Sequence, residues 1–199
     1  MPQNLDLLDE TPSQTAGPYV HIGCLPTAAG LPEIYHAQVG HTPISEGVQG
    51  QRISVTGHLF DGTGWALRDA IFETWQADAN GVYPGLPGAD PALSGFCRFA
   101  ADPETGRFEL HTVKPGAVSD RAGRLMAPHI SFWIAARGLN MGLQTRLYFP
   151  EDDLMSDPLL SRIEHRPRVD SLTAKTVGAD AYEFDIHLQG PKETVFLDL

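Results

Sequence analysis

The chain has 199 residues, 42% hydrophobic and 20% charged, the profile of one folded domain and not of a disordered chain. Fourteen basic against 25 acidic residues give a net charge of −11, the wrong sign for a nucleic-acid backbone or an anionic membrane surface. Two cysteines, Cys24 and Cys97, exclude a disulfide framework, and the absence of a leader pattern or long apolar run predicts a cytoplasmic protein with both thiols reduced as small buried groups.

Residues 1–25 read as an extended N-terminal arm, loosely held to about residue 12 and then compact and turn-forming over Gln14–Gly23. From 25 to 50 the Pro/Gly/Ala-rich chain predicts a long surface loop. Alternation with period two follows: Ile53, Val55, Gly57 and Leu59 against Arg52, Ser54, Thr56 and His58. Further strands are predicted at Ile71–Ala77, Gly106–Val113, Ile130–Ala136, Gln144–Phe149, Tyr182–Leu188 and Glu193–Leu199. Trp75, in phase with Ile71, is expected in the core. A short helix is expected over 157–166, with Asp157 capping and Pro158 in its first turn. The sum is an all-β chain, a single antiparallel β-sandwich over 26–199 with long loops and one short helix.

The strand that begins at His129 carries the first chemical signal. Alternation points His129, Ser131, Trp133, Ala135 and Arg137 one way and Ile130, Phe132, Ile134 and Ala136 the other. A His-x-His pair there would aim two imidazoles at one metal ion, but Ser131 holds the second position.

Four strings resemble the intradiol ring-cleavage dioxygenases: Glu73–Tyr83, Thr112–Gly116, Ala127–Ile130 and Arg146–Phe149. Within that family, Pro12–Gly23, Ala136–Leu139 and the segments Tyr182–Ile186 and Glu193–Phe196 resemble the α chains of members built from α and β chains. The family's catalytic chains hold a non-haem ferric ion with two Tyr and two His. Tyr83 and His129 match one of each, whereas Val118 stands at the second Tyr, Ser131 at the second His, and Met126 at an Arg that precedes the first His. A hydrocarbon and a neutral hydroxyl replace a phenolate and an imidazole, so the expectation is a chain that binds no metal, with Tyr83, Val118, His129 and Ser131 as vestigial positions.

The resemblance implies a β-chain partner that carries the Fe(III), a higher hetero-oligomer of α/β pairs, and O2-dependent cleavage of a small aromatic substrate, protocatechuate. It also implies that Thr15, Gly17, Pro18, Tyr19 and Arg137 line the substrate cleft of that partner. Their chemistry suits a planar aromatic anion: a phenol ring, a guanidinium, and a Gly-Pro turn that admits close approach. Tyr83 and His129 are expected to be hydrogen-bonded within a filled pocket. Two other readings are a sandwich that binds an aromatic acid by itself, and a self-sufficient iron enzyme with a substitute ligand such as His111.

Overall fold

In the computed structural model, which describes residues 15–32 and 40–198, the alternating segments form two packed sheets. The strands are β1 (Arg52–Phe60), β2 (Ile71–Trp75), β3 (Phe96–Ala100), β4 (Arg107–Val113), β5 (Val118–Ser119), β6 (Leu125–Met126), β7 (His129–Ala135), β8 (Leu143–Tyr148), β9 (Lys175–Gly178), β10 (Ala181–Glu183) and β11 (Ile186–His187). One sheet runs β3-β2-β7-β8, antiparallel throughout. In the other, β4 pairs antiparallel with β1, while β10 and β11 both run parallel to β1, and β9 closes antiparallel on β10. The all-β sandwich expectation holds, with those two short parallel pairings as the departure from a purely antiparallel plan.

The core lies between the sheets. Val55 and Leu59 of β1, Phe72 of β2, Phe108 and Leu110 of β4, and Ile130, Phe132 and Ile134 of β7 face one another with less than a tenth of their surface exposed. Phe72 and Phe108 meet at 4.7 Å between ring centroids, and Phe132 packs against Phe184 at 5.7 Å. Burying a side chain of this size contributes roughly 1.5–3 kcal/mol, so the facing residues of the sheets supply most of the driving force.

Three local expectations are corrected. The predicted helix over 157–166 is a single 3₁₀ turn, Leu160–Arg162, followed by a longer 3₁₀ stretch, Arg166–Leu172. The span breaks at Ile163 (φ −75°, ψ 106°) and His165 (φ −87°, ψ 84°), which leave helical backbone before Pro167 sits in the first turn of the next stretch. Asp157 nevertheless acts as the capping acceptor, taking the N–H groups of Leu159 and Leu160 at 2.8 and 2.9 Å. The predicted single strand Tyr182–Leu188 is split, because the Asp185 carboxylate takes the His58 N–H at 3.1 Å where a strand carbonyl would. The predicted strand Glu193–Leu199 forms no ladder over its described residues. It makes isolated bonds instead, from Thr194 N–H to His187 and from Leu197 N–H to Gln144.

Trp75 is also not in the core: it is 41% exposed. Ile71 and Phe72 are both buried at the start of β2, and it is Phe72, not Ile71, that belongs to the central cluster. The phase taken from Ile71 is therefore inverted. Glu73 and Trp75 face outward, beside Phe96 and Trp133, along a groove on the outer face of the β3-β2-β7-β8 sheet. In the arm, Pro18–Cys24 forms a seven-residue α-helix, α1, within the stretch expected to be compact and turn-forming. Residues 1–14 lie outside the described residues. Cys97 is buried and its thiol is pushed up to about 12 by burial, while Cys24 is half-buried on α1. Among the described residues no helix is long and apolar enough to cross a membrane.

Candidate functional site

Two regions gather the residues singled out from the sequence. The first joins the arm to the end of β7. Gly17 is the residue before α1, with extended backbone, and Pro18 takes the first helical position, where a missing N–H costs nothing. The Oγ1 of Thr15 accepts the N–H of Gly138 at 2.7 Å and lies 3.5 Å from the Ala136 carbonyl. These bonds hold the arm to the Ala136–Gly138 turn, whose central residue is Arg137. Gly138 has φ +89°, a left-handed conformation that glycine adopts without strain. Tyr19 projects from α1 with 86% of its surface exposed.

Arg137 Nε sits 3.3 Å from Asp69 Oδ2, and its side chain is 76% exposed. An ion pair this open contributes little to stability, so the guanidinium is available to a ligand or partner. It borders a hollow of 690 Å³ that also includes Leu67, Leu139, Leu188 and Phe196. Thr15, Gly17 and Arg137 thus belong to one neighbourhood, with Tyr19 on the helix that leads from it. Asp69 is a member that sequence reasoning missed.

The second region contains the four vestigial positions. The loop before Tyr83 is organised by Asp78, a buried carboxylate whose Oδ1 takes the N–H groups of Asn80 and Val82 and whose Oδ2 takes that of Asp90, each at 2.9 Å. Gly81 makes the turn at φ +78°, and a Cβ there would run into the Ala117 carbonyl, which brings the Val118 segment close to Tyr83. Tyr83 stacks on Trp75 with rings 6.0 Å apart and only 4° from parallel. Burial raises its phenol pKa. Val118 pairs with Met126 across the β5–β6 ribbon and is buried.

His129 opens β7, 3% exposed. Asp157 Oδ2 takes the Ala127 N–H at 2.8 Å, and the Ala127 carbonyl in turn lies 2.8 Å from His129 Nδ1. A carbonyl only accepts, so Nδ1 carries the proton and Nε2 is left as a bare acceptor. Nε2 is buried with no hydrogen-bond partner among the described residues. The imidazole is held down to about 4, first by burial and then by the positive charge of Arg146. The expectation of hydrogen-bonded relics is therefore half met. His129 is fixed at one nitrogen only, and Tyr83 is held by stacking, without a side-chain hydrogen bond among the described residues.

Arg146 is the residue that sequence reasoning left without a role. It lies on β8 directly across from Ser131, and its Nη1 is 3.4 Å from the Tyr148 hydroxyl and 3.5 Å from Met126 Sδ. The string Arg146–Phe149 was visible, but which strand faced Ser131 was not. This pocket does not suit a ferric ion. Beyond Tyr83 and His129, the matching positions hold a hydrocarbon at Val118 and a neutral hydroxyl at Ser131, which do not complete a ligand set. Among the described residues no three His, Cys, Asp or Glu side chains gather to hold a metal. His111, the possible substitute ligand, stands exposed on the outer face of the opposite sheet, 3.1 Å from Glu109.

The dioxygenase family profile matches residues 33–190. The chain is 44% identical over 200 residues to the protocatechuate 3,4-dioxygenase alpha chain of Pseudomonas putida, covering 98% of both chains. The chain belongs to this dioxygenase family. It is also 34% identical over 161 residues to the protocatechuate 3,4-dioxygenase beta chain of Burkholderia cepacia, covering 73% of this chain and 67% of that one. Among solved structures it superposes on 3-chlorocatechol 1,2-dioxygenase from Rhodococcus opacus with a TM-score of 0.57 at 22% identity, over 75% of this chain and 64% of that one, a likeness of fold.

Proposed function

We propose that this chain is the iron-free α subunit of a protocatechuate 3,4-dioxygenase. Its partner is a β subunit whose non-haem Fe(III) supplies the ring-opening chemistry. The assembly adds both atoms of O2 to protocatechuate and releases 3-carboxy-cis,cis-muconate. The observation that carries the reading is the bond from Gly138 N–H to Thr15 Oγ1, because it unites the arm and the Arg137 turn on one exposed surface. A partner docked over that surface would receive Tyr19 and Arg137 together.

In this reading the residues of this chain position the substrate. Arg137 offers a fixed cation to the substrate carboxylate, and Tyr19 offers an aromatic face and a hydroxyl. Thr15, Gly17 and Pro18 set the path of the backbone that presents them, and the docked chains restrict water. Orientation of this kind lowers the barrier without any bond being made to the α chain.

The test is to purify the chain alone and with a β subunit, then measure iron content and O2 uptake on protocatechuate. The expected result is an iron-poor, inactive lone chain and an iron-loaded, active pair. In the pair, Arg137→Ala should cost roughly 10- to 100-fold in kcat/KM, the scale of a lost charge-assisted contact. A lone chain that turns over substrate with stoichiometric iron would overturn the proposal.

A further inference from the structure

The pocket around His129 contains a positive charge where the family resemblance leads one to look for a metal. Arg146 reaches it from β8, with the Tyr148 hydroxyl and Met126 Sδ at its Nη1. Its Nε is buried with no acceptor, and no carboxylate pairs with it among the described residues. A half-buried guanidinium normally recruits a carboxylate, because an uncompensated charge is expensive to desolvate. Here it is surrounded by a phenol, a thioether and a neutral imidazole. Burial raises the Tyr83 and Tyr148 phenols on balance, and the Arg146 charge opposes that. At His129 the charge adds to burial in keeping the ring neutral, while the more weakly felt Asp157 carboxylate acts on Tyr148 and His129 in the opposite direction. A bound metal cation would act on the same groups in the same direction as the Arg146 charge.

We infer that the Arg146 guanidinium is a resident cation that replaces a metal ion in this pocket and excludes one. The inference rests on the reading of the chain as iron-free, and it adds a second, independent reason for that state. Missing donors at Val118 and Ser131 make metal binding weak. The fixed charge of Arg146, directly across from Ser131, makes it repulsive even if donors are returned.

The experiment separates the two causes. The full chain carrying Val118→Tyr and Ser131→His is prepared in three backgrounds: native Arg146, Arg146→Gln and Arg146→Lys. Circular dichroism checks folding. Each variant is titrated with Fe(III), read by bound iron and by the visible tyrosinate band, and with redox-inert Zn(II), read by calorimetry. A graft that does not fold alone is read in the co-expressed complex, as iron per α/β pair beyond that of the unmodified complex.

The donor graft with native Arg146 should bind poorly, and Arg146→Gln should raise affinity at least about tenfold for a unit charge a few ångströms from the ion. Arg146→Lys, which keeps the charge and changes the shape, should stay poor. Equal affinities with Arg146 and with Arg146→Gln would overturn the inference. So would no binding in any background, or equal gains from Gln and Lys. Stoichiometric iron in the unmodified chain is a different result, one that removes the iron-free reading itself.

Discussion

The hydroxyl of Thr15 accepts the N–H of Gly138, 123 residues further along the chain, at 2.7 Å. This contact is a specific fastener between the arm and the turn that carries Arg137. One hydrogen bond of this kind is worth about 0.5–1.5 kcal/mol net.

Thr15→Val removes the acceptor and keeps the shape. The expected outcome is faster proteolytic cleavage of the arm in the lone chain, and a rise of roughly two- to tenfold in KM for protocatechuate in the α/β pair. Thr15→Ser, which keeps the acceptor, should recover most of both. Limited proteolysis and steady-state O2 uptake read the two effects separately.

Gly81 and Gly64 both have positive φ, +78° and +86°, but only at Gly81 would a Cβ meet backbone, the Ala117 carbonyl. Both Ala substitutions carry the left-handed strain, about 1 kcal/mol or more. Gly81→Ala must also push apart the loops that hold Tyr83 and Val118. The thermal midpoint should fall clearly further for Gly81→Ala than for Gly64→Ala. Equal shifts would show that the close approach contributes nothing.

Burial keeps His129 neutral in the folded protein, with its pKa near 4 against 6.5 in the unfolded chain. Below pH 6.5 the unfolded state therefore binds the extra proton, and stability falls as the pH is lowered through the window from 6.5 to 4. The full effect is on the order of 3 kcal/mol at 1.36 kcal/mol per unit. Urea unfolding at pH 7 and pH 4.5 measures it. His129→Gln, which cannot titrate, should lose much of the difference between the two pH values.

Asp157 is fully buried and takes three backbone N–H groups, from Ala127, Leu159 and Leu160. Asp157→Ala strands those donors, at a cost of about 2–4 kcal/mol. It should also release the Ala127 carbonyl that orients His129. Denaturant midpoints give the first effect, and an imidazole NMR shift at constant pH gives the second.

The strand with strict alternation, β1, was legible in the sequence because one of its faces meets a dry core and the other does not. Trp75 was misplaced because β2 buries two consecutive residues at its start, and alternation has no phase where both faces are covered. The strands β3 and β9, and the two-residue strands β5 and β6, were missed. Phe96–Ala100 follows a turn-rich segment, and Lys175–Gly178 is exposed at every residue, so no apolar rhythm marks it. Of the candidate site, the absence of donors at Val118 and Ser131 could be read directly. The partners that give the site its geometry could not, since Asp69 and Arg137 are far apart in sequence and Arg146 meets Ser131 only through strand register.

The segment after β11 touches both sheets without joining either. Thr194 bonds to His187 in one, and Leu197 and Val195 bond to Gln144 and Thr145 of β8 in the other. Since β8 is an outer strand of its sheet, this segment occupies hydrogen-bonding groups that would otherwise be open to a foreign strand. A protease that trimmed the chain after Pro191 would therefore do more than shorten it. It would uncover an adhesive edge, and the first sign of damage would be self-association of otherwise folded molecules.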